Sequence, residues 1–112
     1  MKKNSSSFAY IWEFDVKKNC RGRFEKVYGS GGKWIRLFEQ SSGYIGTELH
    51  KDITTAGRYL TIDHWISEAA YKQFRKRYKH EFEELDNLCE SLTKEETFLG
   101  SFACLATLPR RK

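Results

Sequence analysis

The side chains of this chain that could do chemistry are concentrated where one predicted strand meets a predicted helix. The strand RYLTIDHW carries a hydroxyl, a carboxyl, an imidazole and an indole, and a phenol follows on the helix: Thr61, Asp63, His64, Trp65 and Tyr71. Carboxyl and imidazole groups can donate and accept protons, and aromatic rings can enclose a flat apolar ligand. This junction is therefore the first place at which we expect a site.

Asp63 could belong to a group of carboxylates. Together with Glu13 and Asp15 of the first predicted strand, it could form a carboxylate-lined patch. Paired carboxylates with raised pKa values suit general acid–base chemistry. Salt bridges to Arg58 or Arg36 are the alternative explanation, and they are the commoner arrangement.

The three histidines lie on different predicted elements. None of His50, His64 and His80 has a Cys, Asp or Glu at the spacing of a structural metal site, so we expect no metal. His64 alternates with Leu60 and Ile62 and therefore points towards an apolar face. A buried, hydrogen-bonded histidine is commoner there than a catalytic one.

Aromatic residues make up 15% of the chain, which is well above average, and most of them fall in periodic segments. Five of them could line a flat pocket for an aromatic substrate: Tyr10, Trp12, Tyr59, Trp65 and Tyr71. Burial in the core is the alternative, and the pattern alone favours it. A second buried surface, such as a dimer interface, would also account for so much ring area.

Six predicted elements position these residues, in the order β-α-β-β-α-β. The strands cover Phe8–Val16, Tyr44–Lys51, residues 59–66 and residues 98–105. The first helical segment covers residues 19–40 and is interrupted by glycines at 29–32, and a long second helix runs from the Ser67 cap to residue 89 or 91. With right-handed crossovers and a tight link between the middle strands, this order predicts an α+β, ferredoxin-like fold with a four-stranded antiparallel sheet backed by two helices.

Local signals mark where these elements begin and which faces they present. Ser67 is a good N-cap for the second helix. Thr93 and Glu96 have the spacing of a capping box, which predicts a turn or short helix before the last strand. Alternation on the second strand predicts one row made of Ile45, Thr47 and Leu49.

The bulk properties are those of one small globular domain. The chain has 112 residues and a net charge of +5. We predict a disordered segment at residues 1–7, a single domain at 8–107 and a basic tail at 108–112. The chain has no apolar run of the ~20 residues that a membrane span needs and no signal-peptide pattern. Cys20, Cys89 and Cys104 are far apart and lack C-x-x-C spacing, which predicts reduced thiols and a cytoplasmic protein that does not contact a membrane.

The order of elements also fits RNA-recognition domains, which stack bases on aromatic residues at alternate positions of the third strand. Here Tyr59 supplies one such ring, but Thr61 and Asp63 hold the next positions, and an acid would repel the phosphodiester. The basic run at residues 72–79 is flanked by acids and is typical of a solvated helix face. The glycines at 29–32 lack the spacing of a phosphate-binding loop. We therefore expect no nucleic-acid partner.

Longer segments of the chain resemble those of one family. IWEFDV, FEKVYGSGGKWIRLFEQSSGYIGTELHKD, RYLTIDHW and LDNLCESLTKEETFLGSF are similar to segments of the antibiotic biosynthesis monooxygenase family. The similarity covers residues 8–105 and is greatest to a branch of uncharacterised bacterial members with the pattern G-x-W-x-x-L-F…GY-x-GTEL…RYLTID-x-W. It implies a homodimer in which the sheets of two ferredoxin-like protomers pack face to face as a dimeric α/β barrel.

The resemblance also implies an activity. Family members with known activity oxidise polycyclic aromatic phenols with O2, without metal or flavin, in a pocket between sheet and helices. Their Trp and Tyr correspond to Trp65 and Tyr71, whereas Thr61 stands where they have Asn. We therefore predict Trp65, Tyr71 and Thr61 as catalytic residues, an aromatic small-molecule substrate and no cofactor. The predicted substrate-binding residues are Trp12, Tyr59, Asp63, His64 and Phe74.

Two alternative functions remain open. A non-catalytic small-molecule-binding or stress-related dimer could keep the fold without the chemistry. A related group binds and degrades haem with an Asn, the same Trp and an iron-ligating His, and the corresponding residues here are Trp12, Trp65 and Arg75. The arginine at the ligand position disfavours haem degradation.

Overall fold

The computed structural model describes residues 7–106, and its elements follow the predicted order. The strands are β1 (Phe8–Val16), β2 (Tyr44–Lys51), β3 (Arg58–Trp65) and β4 (Thr93–Ala103). The helices are α1 (Arg21–Tyr28), α2 (Lys33–Phe38), α3 (Glu68–Arg77) and α4 (Lys79–Cys89). Single 3-10 turns cover Lys18–Cys20 and Glu90–Leu92. The predicted disordered segment, apart from Ser7, and the predicted basic tail lie outside the described residues. Within residues 7–106, no helix has the length and apolarity to cross a bilayer.

The four strands form one antiparallel sheet in the order β2-β3-β1-β4. β1 is central and pairs antiparallel with both β3 and β4, and β2 forms a hairpin with β3. The helical segments connect β1 to β2 and β3 to β4. This arrangement is the predicted ferredoxin-like α+β fold.

The helices cover one face of the sheet, and the core lies between them. Because side chains alternate along a strand, every second residue of β1 and β3 points to the helices. The buried members of these two rows are Tyr10, Phe14, Val16, Tyr59, Thr61, Asp63 and Trp65. Phe24 of α1, Trp34 of α2 and Phe74 of α3 meet them from the helices. Most of this core consists of aromatic rings, so much of the aromatic excess of the chain is core.

Within residues 7–106, no helix covers the other face of the sheet, and we call it the open face. Leu60 and Ile62 of β3 are half-buried on it, and Phe102 of β4 is 50% exposed. His64 also lies on the open face, where its ring bonds the Glu48 carboxylate at 2.9 Å. The open face therefore combines an apolar part with polar groups, namely the Glu13–Arg58 ion pair on β1 and β3 and the Glu48–His64 pair at the β2 side.

The prediction of one long second helix was wrong. The helix breaks at Tyr78, whose φ of −109° and ψ of 32° are not helical, so α3 and α4 are separate. No proline or glycine causes the break. The turn at Tyr78 places Phe74 of α3 against Phe38 and Phe82 of α4 against Trp34, with ring centroids 5.5 Å and 5.0 Å apart. The Ser67 cap, in contrast, is confirmed, because its hydroxyl accepts a hydrogen bond from the Ala70 N–H at 3.1 Å.

The predicted capping box at Thr93 was also wrong. Thr93 has an extended backbone and begins β4, which therefore starts five residues before the predicted strand. The Thr93 hydroxyl does donate to the Glu96 carboxylate at 3.2 Å, but on a strand, where this contact caps no helix.

On β2, a bulge changes the predicted row. The register with β3 skips Ile45, since Tyr44 pairs with Trp65 and Gly46 pairs with His64. Tyr44 consequently packs on Phe38 and Trp65 on the helix side, whereas Ile45 is exposed. Strict alternation fails here because the extra residue of the bulge reverses the faces of the residues before it relative to those after it.

Candidate functional site

A cavity of about 310 Å³ lies between the helix-facing side of the sheet and helices α2, α3 and α4. Most of its wall is aromatic and comes from Tyr10, Trp12, Phe14, Trp34, Tyr71 and Phe82. Polar groups are few and interrupt the wall at defined places: Thr47, Thr61, Asp63, Arg75, Asp86 and Glu96. A mostly apolar cavity with a small number of polar groups is typical of sites for small organic molecules.

Four of the residues predicted from the sequence line this cavity. Trp12 and Thr61 are cross-strand partners on β1 and β3, and Asp63 lies two residues further along β3. Tyr71 reaches the cavity from the second turn of α3. The strand-to-helix junction therefore does bring these side chains to one place.

The other four predicted site residues do not line it. Trp65 is 0% exposed and lies behind Tyr71, with the two ring centroids 5.3 Å apart. Tyr59 is 1% exposed in the core, and its hydroxyl donates to the Glu25 carboxylate. Phe74 contributes to a separate surface depression beside Gln40 and Tyr78.

His64 is the fourth of these residues, and its side chain lies on the open face of the sheet, away from the cavity. Asp63 and His64 are consecutive on a strand, so their side chains point to opposite faces. Only the Asp63 side chain can face the helices. His64 bonds Glu48 instead and stays half-buried.

Asp63 is the most unusual polar group of the cavity. Its Oδ1 accepts a hydrogen bond from the Thr47 hydroxyl at 2.7 Å, and the Thr47 oxygen lies 2.6 Å from the Tyr44 hydroxyl. Burial raises the pKa of Asp63 to about 6, although the hydrogen bond from Thr47 opposes the rise. With Thr47 donating to the carboxylate, Tyr44 donates to Thr47. The three groups form a hydrogen-bonded chain from β2 into the cavity.

Tyr71 and Arg75 form the second polar group, on one face of α3. Arg75 lies one turn after Tyr71 and donates to its hydroxyl oxygen at 2.9 Å. Burial raises the pKa of Tyr71, and the Arg75 guanidinium opposes this rise. The same guanidinium lies 3.8 Å from the centre of the Phe82 ring, a cation–π contact that fixes its position. A negatively charged ligand oxygen would find a hydroxyl and a cation side by side here.

Asp86 and Glu96 bring two further carboxyl groups to the wall, from α4 and β4. Burial raises the pKa of each, and neighbouring acids raise both further. For Asp86, the charge of Arg75 opposes the rise. Among the described residues, Arg75 is therefore the one basic residue of the cavity wall, beside three acidic residues, Asp63, Asp86 and Glu96.

Sequence reasoning missed several of these groups. Thr47 faces Asp63 across the β2–β3 pair, and correct strand register would have found it. Arg75 follows Tyr71 at the i, i+4 spacing that puts side chains together on a helix, yet its basic surroundings suggested a solvated face. Trp34, Phe82, Asp86 and Glu96 come from three distant elements, and no local pattern in the sequence joins them.

Comparison with known proteins gives one family and a set of similar folds. The model of the family described as antibiotic biosynthesis monooxygenase matches residues 7–82. No curated protein sequence matches the chain significantly.

Among solved structures, SnoaB, a cofactor-independent oxygenase from Streptomyces nogalater, is 16% identical, with 95% of this chain and 100% of that chain covered and a TM-score of 0.67. Rv0793 from Mycobacterium tuberculosis is 14% identical, with 93% and 100% covered and a TM-score of 0.70. PA3566 from Pseudomonas aeruginosa is 15% identical, with 94% and 100% covered and a TM-score of 0.66. At these identities the structural likenesses establish the fold alone.

Proposed function

The chain belongs to the antibiotic biosynthesis monooxygenase family, and from this premise we propose that it oxidises a phenolic or quinol-like aromatic molecule with O2, without metal or flavin. The cavity between sheet and helices carries the proposal. It is lined mainly by aromatic rings, and at about 310 Å³ it lies at the small end of the range for ligand sites. SnoaB, which has the same fold, is a cofactor-independent oxygenase.

The chemistry asks little of the protein beyond binding and charge stabilisation. A phenolate passes one electron to O2, which gives a phenoxyl radical and superoxide. The two recombine at a ring carbon that carries a hydrogen, which forms a carbon–oxygen bond, and the resulting peroxide takes up the proton that the phenol lost. The O–O bond then breaks, the hydrogen of that carbon leaves with the outer oxygen as water, and a carbonyl group remains. The protein must hold the anion and orient the ring, and a preorganised site does both.

Tyr71 and Arg75 are placed to hold the substrate oxygen. Tyr71 can donate its hydroxyl hydrogen to the phenolate because Arg75 donates to the oxygen of the same hydroxyl. The Tyr10 and Tyr71 rings meet edge to face with centroids 4.3 Å apart, and Trp65 supports Tyr71 from behind. In this proposal Trp65 acts by positioning Tyr71, and Thr61 offers a hydroxyl in the cavity wall.

Oxygen-dependent turnover is the first expected result. A panel of anthrones and hydroquinones should include substrates that the protein converts in air and does not convert under argon. Tyr71→Phe should lower kcat/KM about tenfold, since it removes one hydrogen bond to the developing anion. Tyr78→Phe is a matched control. Residues 7–106 provide no hydrogen-bond partner for the Tyr78 hydroxyl, and Tyr78 does not line the cavity. Equal rates with and without oxygen across the panel would contradict the proposal.

Non-catalytic binding is a second candidate, and one observation favours it. Thr61 stands at the position where the characterised members carry Asn, and a hydroxyl cannot replace both the donor and the acceptor of an amide. A panel member that quenches tryptophan fluorescence on binding, but is not consumed in air, would support this candidate.

Haem binding has no comparable observation in its favour. Arg75 lines the cavity where an iron-ligating histidine would be needed. His50 and His64 both bond Glu48 on the open face, and His80 is exposed on α4. The residues present therefore do not fit an axially ligated haem.

The open face supports a homodimer as the state in which the protein works. Its half-buried Leu60 and Ile62 and half-exposed Phe102 form an apolar surface that lacks a helix. Packing this surface on a second copy would remove it from water.

Light scattering should therefore give about twice the chain mass of 13.2 kDa. Ile62→Lys, which puts a charge in the middle of the open face, should give a folded monomer at micromolar concentration. Ile53→Lys is the matched control, because Ile53 is 96% exposed in the β2–β3 loop. A wild-type mass near that of one chain would contradict the dimer.

A cytoplasmic location is proposed on the state of the cysteines. Cys20, Cys89 and Cys104 are all free thiols, and Cys89 is buried in the core. Free thiols persist in reducing compartments.

A further inference from the structure

One carboxyl group of the cavity is buried and, among the described residues, has no basic side chain near enough for a salt bridge. Asp63 is only 6% exposed, and within residues 7–106 no lysine, arginine or histidine lies within salt-bridge distance of it. Its recorded hydrogen bond goes from Thr47 to Oδ1. Isolated buried carboxylates are costly, so proteins rarely keep one without a use. The second oxygen, Oδ2, has no hydrogen-bond partner in the part of the chain that the structure describes, and it can take a proton.

Resting on the function proposed above, we propose that Asp63 is the base that removes the phenolic proton, and that the substrates are phenols acidified by conjugation with an electron-withdrawing group. The substrate O–H bond breaks, and its proton forms an O–H bond with Oδ2 of Asp63. The electron pair stays on the substrate oxygen, beside Tyr71 and Arg75. Asp63 returns this proton to the peroxide intermediate, which restores the carboxylate, and the proton leaves in the water formed when the O–O bond is cleaved.

The geometry places the base and the anion site together. Asp63 is the cross-strand partner of Tyr10, and the Tyr10 ring is in edge-to-face contact with Tyr71. Thr47 and Tyr44 hold Oδ1 by the chain of hydrogen bonds, and Asp63 lines the cavity. Thr47 is a positioning residue in this proposal, since it acts through Asp63.

Proton transfer within the cavity avoids creating a second buried charge. Before transfer the carboxylate is charged and the phenol is neutral, and afterwards the acid is neutral and the phenolate is charged. The cavity holds the same net charge throughout. Transfer to bulk water would instead leave two anions in a low-dielectric site that already contains acids.

The other ionisable groups around Asp63 do not compete for this role. Those that share its cavity or hydrogen-bond chain are Tyr10, Tyr28, Tyr44, Tyr71, Arg75, Asp86 and Glu96. Burial raises the pKa of Tyr44 to about 12 and also raises that of Tyr71, so neither ionises near neutral pH. Asp86 and Glu96 lie on α4 and β4, and β1 separates β4 from the strand that carries Asp63. His64 is adjacent in the chain and faces the other side of the sheet, and its charge acts on Asp63 only by lowering the pKa of the carboxyl group.

The substrate class follows from the strength of this base. A carboxylate whose pKa is about 6 is ionised at neutral pH and so ready to accept a proton. An ordinary phenol has a pKa near 10, so transfer to such a base would be unfavourable by a factor of about 10⁴. A phenol conjugated to a carbonyl or similar group is a stronger acid and closes most of this gap. Such substrates should therefore give up a proton to Asp63 more readily than unconjugated phenols do.

An anaerobic proton count tests the base without requiring turnover. 4-Nitrophenol is a suitable probe, because it is a conjugated phenol with a visible anion band and O2 does not oxidise it. At about pH 6.5, above the pKa of Asp63, the wild-type protein should bind it as the anion and release no proton to an indicator dye. Asp63→Asn should release one proton for each anion bound. Asp15→Asn, which removes an exposed carboxyl on β1, should behave as the wild type.

Two outcomes of this count would overturn the proposal. One is a wild-type protein that releases one proton per bound anion, and the other is a wild-type protein that binds the probe only in its neutral form. Either result is independent of catalysis, so failure of the base and failure of the oxidation are distinguishable.

The pH dependence of turnover provides the second readout. For the wild type, kcat/KM should fall below about pH 6 as Asp63 becomes protonated. In Asp63→Asn, this fall at low pH, the acid limb, should be absent, and kcat at neutral pH should be about 10²–10⁴-fold lower. Its rate should rise tenfold per pH unit as hydroxide replaces the carboxylate as the base. Thr47→Val removes the hydrogen bond that lowers the pKa of Asp63, so its acid limb should move to higher pH. An unchanged limb in Asp63→Asn would overturn the assignment, because a purely structural role would leave the limb in place.

Discussion

Trp65→Ala should lower the free energy of unfolding by about 3–5 kcal/mol, the range for truncating a large buried aromatic side chain. Trp65 is 0% exposed and packs against the rings of Phe38, Tyr44, Tyr71 and Phe74, with centroids 5.1–5.7 Å away. Alanine would leave a space that these four rings cannot fill without leaving their present partners. The indole N–H has no hydrogen-bond partner within residues 7–106, so the loss is one of packing.

Urea unfolding of Trp65→Ala and Trp65→Phe would measure this loss. Phenylalanine keeps most of the ring contact, so its loss should be clearly smaller than that of alanine. Because Trp65 supports Tyr71 without lining the cavity, Trp65→Phe should also weaken ligand binding less than Tyr71→Ala does. A loss below about 1 kcal/mol in Trp65→Ala would show that the neighbouring rings collapse into the space, and that Trp65 does not fix the position of Tyr71.

The sheet could be predicted from the sequence because its strands alternate clearly and their ends carry local signals. β1 and β2 have their predicted bounds, and Ser67 caps α3 as expected. The break at Tyr78 could not be predicted, since no proline or glycine marks it and it depends on where distant aromatic rings pack. The bulge at Ile45 depends on pairing with β3, which the local sequence of β2 does not encode.

The candidate site, like the fold, could be predicted only in part from the sequence. Periodicity placed Tyr59, Thr61, Asp63 and Trp65 on one row of β3, and all four do face the helices. It could not separate the two that reach the cavity, Thr61 and Asp63, from the two that are core. That difference depends on how the helices cover each position along the strand, which is a property of tertiary packing.

Asp63→Asn should stabilise the protein at high pH while it removes the proposed base. The folded state raises the pKa of Asp63 from its ordinary 3.8 to about 6, so between these values the folded protein binds more protons than the unfolded chain. Stability therefore falls as pH rises through this window and stays low above it. The difference between the two pKa values corresponds to about 3 kcal/mol, the cost of holding the ionised carboxylate in the core.

Asparagine avoids this cost because it is never ionised. Its stabilising effect should be near zero at pH 4, where Asp63 is protonated in the folded protein, and up to about 3 kcal/mol at pH 8. In thermal unfolding, that gain corresponds to a rise in Tm on the order of 10 °C for a chain of this size. The side-chain carbonyl of asparagine can still accept the hydrogen bond from Thr47, so the packing around the site should be retained.

Unfolding of Asp63→Asn, Asp15→Asn and the wild type at both pH values would measure the effect. Asp15 is exposed on β1 and makes no hydrogen bond with its side chain among residues 7–106, so its replacement should change stability little at either pH. Equal stability of Asp63→Asn and the wild type at pH 8 would mean that the Asp63 carboxylate is solvated or paired in solution. A gain at pH 8 together with a lost acid limb in kcat/KM would instead show that the protein gives up stability to keep an ionised carboxylate beside its substrate, as expected of a group retained for function.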